Sequence, residues 1–474
     1  MTRLNPHSLN ALPAIIQQGN YDRSAQPKVV HLGVGAFHRA HQADYFDRLN
    51  SCIDDPWLII GASLRSPRAA KQLNPQEGLY LHIARGAGGD SYRVNGAITS
   101  VINAFKTPAL LAQAIASPNV KLVTLTITEK GYCLDAQQSN LNMRDPDVSA
   151  DCENLAQPKT AIGYLVAGLA KRQQAGSGAI TILSCDNLSH NGDCTRRAVL
   201  AMANAHSTAL GNWIATHVSF PNAMVDRIAP ALSEEDYRHA HKILQLDDQG
   251  LAVTEQFSQW VIEDNFAGPR PPLENVGVTW VSEVGIWEQR KLRLLNAAHS
   301  TLAYIAGGAG EVFVHSAIKH RRYQDLLNAL WSEIAPTIDA TEGFDQANYC
   351  SALVDRFANP HLNHRLQQIA MDGSQKLPPR LLAPLGDRLA LGFASPILTQ
   401  VVAAWCTWVW RHVQPNNARL EDPMADVFAQ AVVSNSDKTE LADTLAEVYP
   451  PLQHLMTDYP AWAEELRTTL SSHT

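Results

Sequence analysis

The sequence predicts a doubly wound α/β domain over residues 1–285 and a mostly α-helical domain over 286–474. Three observations carry this. Short apolar runs alternate with amphipathic stretches through the first part of the chain. Those runs are nearly continuous in apolar residues, as in strands covered on both faces of a parallel sheet. Beyond about residue 285 the periodicity turns helical. The length of 474 residues allows two large domains or about three average ones.

In the first domain, strands are expected at 27–32 (PKVVHL), 57–62 (WLIIGA), 120–127 (VKLVTLTI) and 179–185 (AITILSC), with helices at 36–50 and 159–174. Such alternation is the mark of right-handed βαβ crossovers. A last strand is expected at 276–284 (VGVTWVSEV), after the GPRPP loop at 268–272. The second domain should contain helices at 286–306, 311–334, 349–357, 362–371, 396–413, 424–432 and 438–448, several of them separated by Asn-Pro or Pro-Pro turns. The most apolar stretch, 401–410 (VVAAWCTWVW), is too short to span a bilayer and reads as a buried helix.

Composition narrows the function classes. Charged residues make up 18% and the net charge is −8. A duplex nucleic-acid binder would carry a basic face, so no nucleic-acid partner is expected. A few local cations would still suffice for a small anionic substrate. The seven scattered cysteines, with no CxxC, fit reduced thiols in the cytoplasm. The first twenty residues lack the apolar core of a signal peptide, and no membrane role is expected.

Residues 29–40 read VVHLGVGAFHRA, a strand running into Gly33-x-Gly35 and then a helix. This is the context of a Rossmann-like dinucleotide turn. The first glycine permits the turn, the second lets the backbone approach a pyrophosphate, and the helix start offers free N–H groups. His38 stands where the usual third glycine would be. After the second strand the chain reads GASLRSPRA, with Arg65 and Arg68 and no acid, so NAD and NADP both remain open.

In 291–303 (KLRLLNAAHSTLA), Lys291, Asn296 and His299 interrupt a largely apolar run. At about 100° per residue, His299 lies about 80° and Asn296 about 140° from Lys291, on one broad arc. Burial would lower the pKa of such a lysine and make it a usable base. A snorkelling lysine beside a capped core asparagine gives the same pattern. Ser184-Cys185-Asp186-Asn187 follows the strand 179–185 directly. Asn187 could donate into a crevice at the strand ends, or close an Asx turn. The segments NAMVDR (222–227) and QWVIEDN (259–265) are also dense in polar groups.

Together these segments resemble the long-chain mannitol dehydrogenase family, the polyol-specific long-chain dehydrogenases. The matching stretches are HLGVGAFHRAHQ (31–42), TITEKGYC (126–133), PKTAIGYLV (158–166), SCDN (184–187), FPNAMVDRI (220–228), QWVIEDNF (259–266), KLRLLNAAHS (291–300) and DGSQKLPPRLL (372–382). DGSQKLP and Gln368, where the mannitol branch tends to carry arginine, bring it nearest to the mannonate oxidoreductase (fructuronate reductase) branch. The resemblance implies an NAD-dependent oxidoreductase, with NADP not excluded. Lys291 would be the general acid/base, and Asn187 and Asn296 would hold the substrate oxygen. His299 would bond a neighbouring hydroxyl. Asp226 and Lys376 would line the substrate pocket, with Arg365, Lys376 or Arg380 holding a substrate carboxylate. Gly33, Val34, Gly35, Ala36, Phe37, His38 and Arg39 would cradle the pyrophosphate, and Glu129 would sit near the nicotinamide.

The implied reaction interconverts D-mannonate and D-fructuronate. The alternatives are mannitol 2-dehydrogenase or another polyol dehydrogenase, such as one for arabinitol, and, from another class, a nucleotide-binding sensor without catalysis. No metal site is expected, because His38-x-x-His41 has no Cys or acid partner at ligand spacing. GxSxG and the P-loop are both missing, which disfavours a hydrolase or an ATP-using enzyme. A small-molecule substrate and a monomer or small homo-oligomer complete the expectation.

Overall fold

A computed structural model describes residues 2–86, 88–135, 140–339, 344–414, 417–434 and 440–472. The chain divides into two compact units, Met1–Gly285 and Ile286–Thr474.

The first unit is built on a six-stranded, all-parallel sheet. Its strands are β1 (Val29–Leu32), β2 (Ile59–Ser63), β3 (Ile98–Asn103), β4 (Leu122–Leu125), β5 (Ile180–Ser184) and β6 (Val218–Ser219). Their spatial order is β3-β2-β1-β4-β5-β6. This is the dinucleotide-binding order, and the direction of winding reverses between β1 and β4, where such sheets bind ligands. Every residue of β1, β4 and β5 is buried. Alternate residues serve opposite faces, as the pleat requires. Val30, Leu32, Val123 and Leu125 join the helices Pro108–Ala116 and Ala161–Gln174 through Leu111, Ile115, Ile162 and Leu165. Val29, Ile59, Leu122 and Leu183 join Tyr45, Phe46, Leu49 and Trp260 on the other side.

Two further sheets in this unit were not expected from the sequence. One is four-stranded, in the order Ile16–Gln18, Ser91–Asn95, Tyr80–Arg85, Ala252–Glu255. The other is three-stranded, with Gln259–Glu263 between Ala223–Asp226 and Thr279–Val281. The strand expected at 276–284 is thus trimmed to Thr279–Val281, because Leu273–Val276 forms a 3-10 turn closed at Gly277, φ +93°. The helix expected at 36–50 is broken at His41, φ −127° and ψ −84°. The His41 ring bonds Gln259 O at 2.9 Å and packs against Phe37, Tyr45 and Trp260, which overrides the local helical preference.

The second unit is helical. It opens with a run that changes type three times: α over Gly285–Arg290, π over Lys291–Asn296, α over Ala297–Thr301 and π over Leu302–Ala306. The helix Pro396–Val413 buries Leu398, Val401, Val402, Trp405, Cys406 and Val409. Glu333 caps its start, accepting from the Ile397 and Leu398 N–H groups at 2.8 and 2.9 Å. The helix expected at 311–334 is two, Val314–Ala317 and Arg321–Ile334, and the one expected at 362–371 shrinks to Leu366–Ala370. A strand-like bridge pairs Phe313 with Arg365, and the N–H groups of Val314 and Leu366 go to His364 O and Val312 O, so these residues are drawn out of the helices. The start of the helix expected at 438–448 lies outside the described residues, and Leu441–Val448 is helical. Among the described residues no helix is long and apolar enough to cross a membrane.

Candidate active site

In the first unit, β1 ends in the Gly33-Val34-Gly35 turn, and a helix begins at Ala36. Gly33 has φ +94°, and a Cβ there would lie 2.1 Å from Thr126 O, so only glycine fits. A Cβ at Gly35 would meet nothing closer than Gly33 O at 3.8 Å, which leaves its backbone open to an approaching group. A bare backbone, a helix start and the winding reversal fit the pyrophosphate of a dinucleotide.

The side chains of the turn mostly face inward. His31 ties β1 to β4, with Nδ1 2.7 Å from Thr124 Oγ1 and Nε2 2.9 Å from Thr126 Oγ1. His38, at the expected third-glycine position, stacks on His31 with ring centroids 3.3 Å apart. Burial holds both neutral, with the His31 pKa lowered to about 3. Val34 and Arg39 are buried as well, and Arg39 Nη1 donates to Val34 O at 3.4 Å. Within 33–39 the surface open to a ligand is therefore the backbone at Gly35 and Ala36, with the partly buried Phe37 beside it.

The loop after β4 carries Glu129 and is held by Asp186, which the sequence reading passed over. Its carboxylate accepts from the N–H groups of Ile127 (2.9 Å) and Thr128 (3.0 Å) and from the Tyr132 hydroxyl (2.8 Å). Thr128 sits at φ +64°, an uncommon conformation for a β-branched residue that needs such holding. Burial pushes the Asp186 pKa up to about 6, against the lowering effect of those hydrogen bonds. Asn187 follows at the exposed end of this motif. The helix behind it is pinned by Asn191, whose Nδ2 donates to Asp186 O (3.0 Å) and Ala223 O (2.7 Å). Polar groups of NAMVDR and QWVIEDN continue the clamp, with Asn222 Oδ1 accepting from the Gly192 N–H and Glu263 from the Asn222 N–H. Asp226 is buried at the end of the strand Ala223–Asp226.

In the second unit, Lys291 and Asn296 open and close one π turn. Its i→i+5 bond runs from the Ala297 N–H to Leu292 O, and Trp331 Nε1 donates to Leu294 O at 3.0 Å within it. A turn closed this way takes more residues than the 3.6 of an α-helix, so it brings Asn296 nearer the face of Lys291. The uniform 100° step placed them about 140° apart, which the π turn corrects. Lys291, Asn296 and His299 are all buried. Among the described residues Asn296 Nδ2 and His299 Nε2 have no hydrogen-bond partner, an unusual state for buried polar atoms.

His299 packs against Phe357 and His364, at centroid distances of 4.5 and 5.2 Å. Burial first, then His364 and the charges of Arg380, Arg356 and Lys291, hold its pKa well below the usual histidine value. Burial and Lys376 lower His364 to about 4. Arg380 reaches the next residue, donating to Ser300 Oγ at 3.3 Å. Arg380, Arg356, Lys291 and Lys376 thus bring positive charge to bear on these two histidines. Arg365 is different: it is exposed and its guanidinium lies over the Phe313 ring. Arg380 acts instead on the buried His299, and Lys376 on the half-buried His364.

Two domain families match the chain, the Mannitol dehydrogenase Rossmann domain over residues 27–275 and the Mannitol dehydrogenase C-terminal domain over 283–470. The chain belongs to the mannitol dehydrogenase family. It is an oxidoreductase of the class that acts on secondary alcohols of polyols and sugar acids. The D-mannonate oxidoreductase of Escherichia coli (strain K12) is 38% identical, with 87% of this chain and 86% of that protein covered. A mannitol 2-dehydrogenase of Pyrenophora tritici-repentis is 36% identical, over 90% of this chain and 76% of that protein. Among solved structures, the Pseudomonas fluorescens mannitol 2-dehydrogenase, a ternary complex with NAD and D-mannitol, is 33% identical with TM-score 0.88, covering 100% and 99% of the two chains. Family members with sugar-acid and polyol substrates are therefore about equally similar to this one.

Proposed function

We propose that this family member interconverts D-mannonate and D-fructuronate with a nicotinamide dinucleotide, NAD in the first place. The observation that carries the reading is the π turn, which brings Asn296 nearer the face of Lys291, with Asn296 Nδ2 and His299 Nε2 buried and unpaired among the described residues. The first unit takes the dinucleotide, and the second supplies Lys291, Asn296 and His299 to the sugar. When bound, the dinucleotide supplies or accepts the hydride.

In reduction, Lys291 gives its Nζ proton to the oxygen that the hydride leaves negatively charged, and in oxidation it takes that proton back. Asn296 Nδ2 donates to the same oxygen. An amide donor aimed at developing charge contributes about 2.7–4 kcal/mol. Asn187, in the first unit, carries the second donor role that the family pattern assigns. His299 enters neutral, because burial and the cations around it disfavour its charged form. It can therefore accept from a hydroxyl at Nε2. Asp226 lines the sugar pocket, and Glu129 serves the nicotinamide end. Arg380 and Lys376 supply the cationic patch that a uronate carboxylate needs, and this favours a sugar acid over a neutral polyol. Free thiols at all seven cysteines suit a cytoplasmic enzyme.

The polyol reading is favoured by the likeness to the mannitol-bound structure over the whole chain. Fructuronate and fructose, each assayed with NADH, separate the two. The sugar-acid reading expects kcat/KM for fructuronate to exceed that for fructose by about a hundredfold or more, as a charge held by two cations should give. A preference for fructose would reverse the assignment.

A further inference from the structure

In a sheet of the order found here, the segment leaving β2 lies beside the ribose of the adenosine half. An acid there bonds the ribose hydroxyls and repels a phosphate, whereas arginine accepts a 2′-phosphate. Between residues 56 and 76 this chain has no Asp or Glu, but it has Arg65, Arg68 and Lys71. All three are exposed and follow directly on β2, which ends at Ser63. Among the described residues none of their side chains makes an ion pair or a hydrogen bond.

Two of them, Arg68 and Lys71, also belong to a built feature, with Arg65 beside it in the chain. A cavity of 510 Å³ is lined by Ser66, Arg68, Lys71 and Arg3, with Asp247 as its acid. Arg3 is fixed in place, donating to Gln76 Oε1 and Gln72 O at 3.0 Å each. Ser66 Oγ accepts the Arg68 N–H at 3.2 Å and so shapes the turn. The charge of Arg68 also acts on the buried Arg39, whose Nε has no hydrogen-bond partner among the described residues. Like charges brought together with few acids raise the local potential and favour an incoming dianion.

We propose that this cluster receives the 2′-phosphate of NADP(H), so that the chain accepts NADP(H) as well as NAD(H). The inference rests on the dinucleotide reading above and deepens it. Arg65 and Arg68 supply forked donors matched to phosphate oxygens, Lys71 adds a point charge, and Ser66 offers its hydroxyl.

The test is direct binding, followed by tryptophan fluorescence, of NADH, NADPH, 5′-AMP and adenosine 2′,5′-bisphosphate to the full chain. NADPH should bind within about tenfold of NADH or tighter, and the bisphosphate tighter than 5′-AMP. Raising the salt should weaken NADPH more than NADH, because these contacts are exposed. In Arg65→Ala/Arg68→Ala the NADPH-over-NADH affinity ratio should fall about tenfold or more. Arg65→Lys/Arg68→Lys, which keeps the charge, should recover part of it. If NADH binds but NADPH binds more than about tenfold more weakly, or if the double variant leaves the ratio unchanged, the 2′-phosphate inference fails and the dinucleotide reading stands. If none of the four probes binds, both fail.

Discussion

The Gly33–Gly35 turn and the Lys291–His299 helix are built on opposite principles. In the turn, polar side chains are spent inside the fold: His31 bridges two strands, His38 stacks on it, and the surface left open is mainly backbone. In the helix, the backbone is bent into a π turn and, among the described residues, buried side-chain atoms are left without partners. A buried unpaired polar group costs about 1–3 kcal/mol, so a fold retains such groups where a ligand will pair them. A phosphate can be held by geometry that any side chain would obstruct. A reacting oxygen needs donors that stay vacant until it arrives.

Each half of this contrast can be broken by one substitution. The largest effect is expected at Gly33→Ala. The new Cβ would meet Thr126 O at 2.1 Å, at a φ that alanine disfavours. Loss of more than about 3 kcal/mol of stability in thermal or urea unfolding is expected. A variant that folds normally and binds NADH as the native chain does would mean that the turn is not fixed by sterics.

Asn296→Leu should do the reverse. Removal of the donor should cut kcat by about 10²–10³-fold. Loss of a buried unpaired amide should leave stability unchanged or raise it by about 1–3 kcal/mol. Destabilisation with retained turnover would show that the amide serves the core and not the substrate.

A smaller effect separates the turn from the loop beside it. The Asp186 pKa is raised to about 6 from an ordinary 3.8. The folded state therefore holds its proton more tightly than the unfolded state does. The stability this confers is present below about pH 4 and is lost as the pH rises through about 6, by at most about 3 kcal/mol. Comparing the native chain with Asp186→Asn across pH 4–7 should show the native advantage shrinking as pH rises. A flat difference would mean that the carboxyl is not titrating there.

Legibility in the sequence follows the same division. The strands β1, β4 and β5 and the glycine turn were readable because short apolar runs and a GxG are local signals. The two smaller sheets were not, since their pairings are remote in sequence, such as Ile16 with Tyr92 and Ala252 with His82. Lys291, Asn296 and His299 stood out as polar residues in an apolar run. Their alignment did not, because no residue type announces a π turn. Asp186 lies in Ser184-Cys185-Asp186-Asn187, yet an acid after a strand reads equally well as an Asx turn. Its role shows only in which N–H groups it accepts. Arg365 and Arg380 look alike in sequence, and a backbone bridge at Phe313 turns one outward.

The central claim is that Lys291 moves the proton while the dinucleotide is held by a different unit. Lys291→Ala, assayed for fructuronate turnover and for NADH binding in the same preparation, tests it directly. The expected result is a kcat lower by about 10²–10⁴-fold with the NADH dissociation constant within about twofold of native. Near-native turnover, or loss of rate together with loss of NADH binding, would contradict it.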